Sequence, residues 1–288
     1  MTLRAPAKIN LYLRVLKKRP DGKHTVETIL QTIALYDTIT FRRLADSRIA
    51  VSCRPPLKNT PVYDNLCFKA AYLLRSAVSR KNPGISISIA KNIPVGAGFG
   101  GGSSDAATTL VGLNKFWGLG LEKRKLVSIA KKLGADVPFF LYCGTAIGTG
   151  AGENIRKIAC LPGMWIVLAV PPYNLSTQGV YDTLDHLRAR QRLTRTKKST
   201  TILAALSALK NLHGGILRND LRPACLEIYP LVARLEGELG KTSNVGVGIT
   251  GSGPGCFALF PDRKAADAAR REIAGKFPGI WTRTVHTL

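Results

Sequence analysis

Apolar residues nowhere run for the roughly 18–20 positions that a bilayer-spanning helix needs. The greasiest stretch, MWIVLAVPPY, is cut short by Pro171 and Pro172. The opening residues MTLRAPAKINLYLRVLKK hold one early Arg, no apolar signal segment and no small-residue cleavage pattern. Together these read as a cytoplasmic chain. Paired cysteine motifs are also missing. The six cysteines, Cys53, Cys67, Cys143, Cys160, Cys225 and Cys256, show no C-x-x-C spacing and no His at metal-ligand spacing. Buried free thiols of a reducing compartment are expected. Acidic residues are scarce, 18 against 42 basic ones, which leaves a net charge of +24. Such a surplus favours anionic partners: nucleic acid, a membrane surface or phosphate-rich small molecules. No zinc-finger spacing and no aromatic RNA-binding motif accompany the charge, so nothing else signals nucleic acid. The densest basic run, Arg188 to Lys198, reads as a solvated helix end and loop.

What is present is core material for two α+β domains, with 45% hydrophobic residues in 288. KINLYLRVL alternates as a half-buried strand, PDGKH is a turn, and DTITFRRL and RIAVSCR are further strands. NLCFKAAYLLRSAV has helical spacing, with Asp64 or Asn65 as N-cap. GISISIA puts Ile85, Ile87 and Ile89 on one strand face. SSDAATTLVGLNKFW reads as a helix starting at Ser103 or Ser104, with Asp105 in its first turn. A helix closed by Gly134, a short helix opening at Asp136 and Pro138, and a Gly-rich hairpin follow. The domain boundary is placed there, giving residues 1–155 and 156–288. Beyond it come the strand MWIVLAVPP, the helical patterns TQGVYDTLDHLRAR, TILAALSALKNL and CLEIYPLVARLEGEL, a strand pair, a helix and a closing strand.

The stretch that asks for chemistry is KNIPVGAGFGGGSSDAATTL. Five of the seven residues from Gly96 to Gly102 are glycine. Glycine admits positive φ and lets a ligand approach bare backbone. Consecutive amides then form an anion nest, and a helix starting immediately after adds free N–H groups and the positive end of its dipole. Strand, glycine loop and helix together point to a phosphate site. A Walker A loop does not fit, because the only Gly-Lys-Thr, at Gly240 to Thr242, has Leu235 where the leading Gly belongs. Gly96, Gly98 and Gly101 spell G-x-G-x-x-G with Glu122 some twenty residues on, but Glu122 opens a predicted helix instead of ending a strand.

PVGAGFGGGSSDAAT resembles the glycine loop of the GHMP kinases, and PAKINLYL and GITGSGPGCFALF resemble two further segments of that superfamily, in the same order. The resemblance covers most of the chain and is weakest between about Thr183 and Arg218. It implies a two-domain α+β GHMP kinase fold, with ATP as co-substrate, Mg²⁺, and an acceptor cleft between the domains. The long N-terminal segment, the extra glycines of GFGGGSS, and LGADVPFFLYCGTAIGTGAGE resemble the branch whose acceptor is the 2-hydroxyl of CDP-methylerythritol, in non-mevalonate isoprenoid synthesis. Other alcohols such as homoserine or mevalonate, and a nucleic-acid-binding protein on the same fold, are the rivals. A monomer and a homodimer are both open.

Residue by residue, the resemblance implies ATP binding by Pro94, Val95, Gly96, Ala97, Gly98, Phe99, Gly100, Gly101, Gly102, Ser103 and Ser104, with Ser103 or Ser104 helping to place Mg²⁺. Asn65 and Lys91 match positions near the adenine. Asp136 reads by itself as an N-cap; the resemblance makes it the catalytic carboxylate, with Lys8 as its cationic neighbour. Asn10 shares a strand face with Lys8. His24, Thr177 and Tyr181 match the cytidine side, where Tyr181 is otherwise a core residue of an amphipathic helix. Lys23 departs from the pattern, which has Tyr before this His, and so weakens stacking on the base.

Overall fold

The computed structural model describes residues 1–57, 61–78, 83–172, 176–190, 201–211 and 217–288. Of the basic run from Arg188 to Lys198, residues 191–198 lie outside the described residues.

Two sheets organise the chain. The first begins with β1 (Thr2–Lys18) and β2 (His24–Leu44), a long antiparallel hairpin joined by the PDGKH turn. Its register slips between Pro6 and Ala7, between Asn10 and Tyr12, and between Val15 and Lys18. Such bulges bend a strand and re-aim its side chains. β3 (Ile49–Arg54) runs parallel to β4 (Gly84–Ala90), which pairs with the far half of β2. The near half of β2 pairs instead with β5 (Thr145–Thr149), and β5 with β6 (Asn154–Lys157).

Helix α1 (Leu66–Ser76) is capped by Asn65, whose side chain accepts from the Cys67 amide at 2.8 Å. Helix α2 (Gly101–Phe116) lies buried on the sheet, and Gly112 lets it touch Phe41. It starts earlier than its sequence suggests. Gly100, not a serine, is its cap residue, which moves Asp105 out of the first turn and into the interior. Helix α3 (Lys123–Leu133) ends at Gly134 as expected. The short helix after it is a 3-10 turn over Pro138–Leu141 with Val137, not Asp136, at its cap and no side-chain cap bond. The Asp136 carboxylate is therefore free of that duty.

The second sheet runs β11-β7-β10-β9: β7 (Trp165–Val170), β9 (Gly246–Ile249), β10 (Cys256–Phe260) and β11 (Trp281–His286). Helices α4 (Thr177–Arg190), α5 (Ile202–Lys210), α6 (Arg222–Ile228), α7 (Pro230–Gly240) and α8 (Arg263–Lys276) belong to this half. CLEIYPLVARLEGEL is thus two helices. Pro230 lacks the N–H that a continuous helix needs and starts α7. A two-residue strand, β8 (Arg218–Asn219), returns to pair in parallel with β1. Ile9, Leu11 and Ile29 of the first sheet share one core with Ile166, Leu168, Phe257 and Leu259 of the second. This common core locks β1 against both sheets, and β1 carries the site. All six cysteines are free; Cys67, Cys225 and Cys256 are buried, Cys53 and Cys143 half-buried, and Cys160 exposed. No helix among the described residues is long and apolar enough to cross a membrane.

Candidate active site

A single cleft of about 870 Å³ gathers the expected residues. Lys8, Asn10, Lys23, His24, Asn65, Lys91, Asp136, Thr177, Tyr181 and the loop from Pro94 to Ser103 all line it. Ser104 does not. It lies fully buried as the fourth residue of α2, and its hydroxyl has no hydrogen-bond partner among the described residues.

The glycine loop is shaped by what presses on it. Gly98 and Gly100 have φ of 81° and 71°, the left-handed region that glycine enters freely. A Cβ on Gly100 would lie 2.9 Å from the Phe140 ring and 3.1 Å from Lys8 Cγ, and one on Gly98 would strike the Thr250 carbonyl. The side chains of Ala97 and Phe99 turn inward, so this loop offers backbone to the cleft. Lys8 N donates to Phe99 O at 2.9 Å, and Gly255 N to Ala97 O at 3.1 Å. A second glycine-rich turn, Gly251 to Gly255, therefore backs the first. Asn219 pins that turn by donating to the carbonyls of Ile249 and Gly251 at 2.9 and 2.8 Å.

Beneath the loop lies a buried ion cluster. Lys91 Nζ donates to Asp37 and, at 2.7 Å, to Asp105 Oδ2. The other Asp37 oxygen accepts from the amides of Asn92 and Ile93 at 2.6 and 2.8 Å. Lys91 ends the strand side of the loop and Asp105 belongs to the helix side, so the cluster ties both ends together. Burial, opposed by Lys91 and reinforced by the Asp37 charge, pushes the Asp105 carboxyl up to about 7. Lys91 was expected at the adenine. It reaches the cleft wall, but its ammonium is committed to the two carboxylates.

At the centre, Lys8 Nζ donates to Asn10 Oδ1 at 2.6 Å and stands 3.5 Å from Asp136 Oδ2. Lys8 is 3% exposed and Asp136 39% exposed, so a sealed cation backs an accessible carboxylate. Asn10 is held in turn: Nδ2 donates to Thr28 at 2.9 Å, Oδ1 accepts from Thr250 at 3.1 Å, and the Asn10 amide donates to Thr250 at 3.1 Å.

On the far wall His24 stacks on Tyr181, with ring centroids 5.1 Å apart and planes 23° from parallel. Burial, then the Asp136 charge, pushes the Tyr181 phenol up to about 12, which links this wall to the central carboxylate. Thr177 shares a 3.1 Å hydrogen bond with Ser252 of the second glycine turn. Lys23 stands beside His24 at the cleft edge, its amide donating to Asp21 at 3.2 Å.

Sequence reasoning missed Asp37, Thr28, Thr250 and Asn219, and it placed Asp105 at a helix end. Asp37 lies 54 residues from Lys91 and Thr250 240 from Asn10, so no local spacing could pair them. No cluster of three or more His, Cys, Asp or Glu residues able to hold a metal occurs among the described residues.

Residues 65–144 match the family pattern "GHMP kinases N terminal domain", and residues 199–279 match "GHMP kinases C terminal". The 4-diphosphocytidyl-2-C-methyl-D-erythritol kinase of Geobacter sp. (strain M21) is 40% identical over 289 residues, covering 100% of this chain and 99% of that protein. The same-named protein of Nitrosomonas europaea is 38% identical, covering 96% and 92%. A crystal structure of 4-(cytidine 5'-diphospho)-2C-methyl-D-erythritol kinase superposes with a TM-score of 0.81 at 29% identity, covering 99% of each chain. Homoserine kinase from Cytophaga hutchinsonii shares the fold, with a TM-score of 0.72 at 17% identity, covering 100% of this chain and 94% of that one.

Proposed function

Because the chain belongs to the GHMP kinases, we propose that it transfers the γ-phosphate of ATP to the 2-hydroxyl of 4-(cytidine 5'-diphospho)-2-C-methyl-D-erythritol, a step of non-mevalonate isoprenoid synthesis. The observation that carries this reading is the Lys8–Asp136 pair, set in one cleft between the glycine loop and the His24–Tyr181 wall. The relatives named above supply the acceptor's identity.

Phosphoryl transfer needs positioning and charge stabilisation more than covalent help. Backbone amides from Val95 to Ser103, after Pro94, which lacks an N–H, would cradle the triphosphate with the start of α2. Mg²⁺ would arrive with ATP, and the Ser103 hydroxyl, which lines the cleft, would help to hold it. Lys91 acts through the loop it braces, and Asn65 borders the adenine end. Asp136 accepts the proton of the attacking hydroxyl. Lys8 orients Asp136 and offsets negative charge growing on the transferred group. Asn10, itself held by Thr28 and Thr250, keeps Lys8 in place. His24, Tyr181, Thr177 and Lys23 form the cytidine side. On this reading residues 1–155 supply the ATP-binding part and residues 156–288 the remainder, with the acceptor lying between them.

The test is phosphate transfer from γ-labelled Mg·ATP to a panel of alcohols. Label should pass to the cytidine-diphosphate acceptor and not to homoserine or mevalonate. Transfer to a simple alcohol but not to the cytidine compound would refute the acceptor assignment while leaving the kinase in place.

A further inference from the structure

The acceptor wall holds a second polar cluster that the transfer step does not use. Asp185 accepts from His24 Nε2 at 2.8 Å through Oδ1 and from Lys18 Nζ at 2.8 Å through Oδ2. Lys18 and His24 are paired across the β1–β2 hairpin, so Asp185 staples the base of that turn to α4. Tyr181 lies one helical turn before Asp185. Helix α4 therefore grips the same imidazole from its face and from its edge.

Resting on the acceptor proposed above, we infer that Asp185 is a positioning residue which, together with Lys18, fixes the tautomer of His24 and so favours a base bearing an exocyclic amine over one bearing a carbonyl. A carboxylate only accepts hydrogen bonds, so the neutral ring must carry its proton on Nε2. Burial pushes the Asp185 carboxyl up, but the hydrogen bonds from Lys18 and His24 outweigh it and hold the group below the usual carboxylate range. Nδ1 is then a bare lone pair. His24 lines the cleft, and no described residue hydrogen-bonds Nδ1. That lone pair accepts from an amino group and repels a carbonyl oxygen. Cytosine presents an amine where uracil-type bases present a carbonyl.

Asp185→Asn inverts this logic. Lys18 is donor-only, so the amide must turn its oxygen to Lys18 and its NH₂ to His24. The ring proton is then driven to Nδ1. In Lys18→Met/Asp185→Asn the amide is free to turn back.

The first arm of the test is the ¹⁵N spectrum of the imidazoles in the whole labelled protein, with His24 assigned by its loss in His24→Gln. Wild type should carry the proton on Nε2, Asp185→Asn on Nδ1, and the double variant on Nε2 again. A wild-type ring protonated on Nδ1, or a tautomer indifferent to both substitutions, overturns the inference. The wild-type spectrum decides the tautomer even where a variant fails to fold, and it needs no substrate, so a failure of the kinase reading is distinguishable. The second arm compares cytidine- and uridine-diphosphate methylerythritol as acceptors. Asp185→Asn should lower kcat/KM for the cytidine acceptor about ten- to hundredfold through KM, leave KM for ATP in place, and recover in the double variant. Equal losses for both acceptors without recovery would reduce Asp185 to a structural role and contradict the inference. Absence of turnover with either acceptor in wild type would remove the base choice and leave the spectrum to decide the tautomer.

Discussion

Lys8 is nearly sealed from water, while its partner Asp136 stays open to the cleft. A buried cation needs hydrogen bonds that repay its lost hydration, and Asn10 supplies one of them. The residue types of this pair are visible in PAKIN and LGADVPFF, but their meeting is not, since 128 positions separate them. The cap reading of Asp136 fails for a local reason: the cap of the 3-10 turn falls one residue later, at Val137. Lys23 carries a sharper consequence. It borders the cleft where an aromatic would add a second face for the base. Lys23→Tyr should lower KM for the cytidine acceptor severalfold and leave KM for ATP unchanged, since base–aromatic stacking is worth about 1–3 kcal/mol. An unchanged acceptor KM in steady-state assays would show that stacking is not what this position limits.

Among the elements, the loop between β4 and α2 is the most constrained. Gly100 must hold positive φ and leave no room for a Cβ beside Phe140 and Lys8. Gly100→Ala should destabilise the fold by about 1–2 kcal/mol from backbone strain alone, with added loss from the clash. Its kcat/KM for ATP should fall at least about tenfold, the equivalent of roughly 1.4 kcal/mol. In Gly102→Ala a Cβ meets only Leu66, at 3.7 Å, so thermal melting should stay near wild type. Equal melting losses in the two variants would contradict this picture of the loop. The ion cluster beneath makes a pH prediction. Burial pushes the Asp105 carboxyl up to about 7 in the folded chain, against an ordinary 3.8. The folded state thus holds that proton more tightly than the unfolded one. Its contribution to stability is fully present below the ordinary range and is lost as pH rises through about 7. Asp105→Asn has no proton to lose, so its stability measured by urea unfolding should decline less steeply than wild type between about pH 4 and 7. Parallel pH profiles would contradict the assignment. Most of the elements were legible from alternation, helical spacing and turn residues. The exceptions were the first half of β2, from His24 to Tyr36, which the sequence reading left unassigned, the two-residue β8, the start of α2, displaced by the left-handed Gly100, and the split at Pro230. The cluster itself was invisible, because Asp37 sits in an unremarkable run of β2 and finds Lys91 only through sheet pairing.

At the scale of the whole molecule, β1 joins two sheets through a shared core and carries Lys8 and Asn10 to their junction. Both proposed substrates are polyanions, and the chain carries +24. Field effects on charged ligands are screened beyond about 10 Å at 0.1 M salt. The kcat/KM for ATP and for the acceptor should therefore fall as ionic strength rises, with kcat at saturation much less affected. A salt-independent kcat/KM in stopped-flow or initial-rate assays would show that the surplus charge plays no part in capture. The two-domain kinase fold and the glycine loop could be anticipated from three ordered segments of sequence. The wiring that connects β1, the second glycine turn and α4 could not, because its contacts join residues some 150–240 positions apart. In the proposed reaction Asp136, backed by Lys8, accepts the proton of the acceptor hydroxyl. The most direct measurement is ADP release from Mg·ATP with the cytidine-diphosphate acceptor, for wild type beside Asp136→Asn. Acceptor-dependent turnover that falls at least about a hundredfold in the variant, with ATP binding retained, is the predicted result. Turnover undiminished in Asp136→Asn would contradict it.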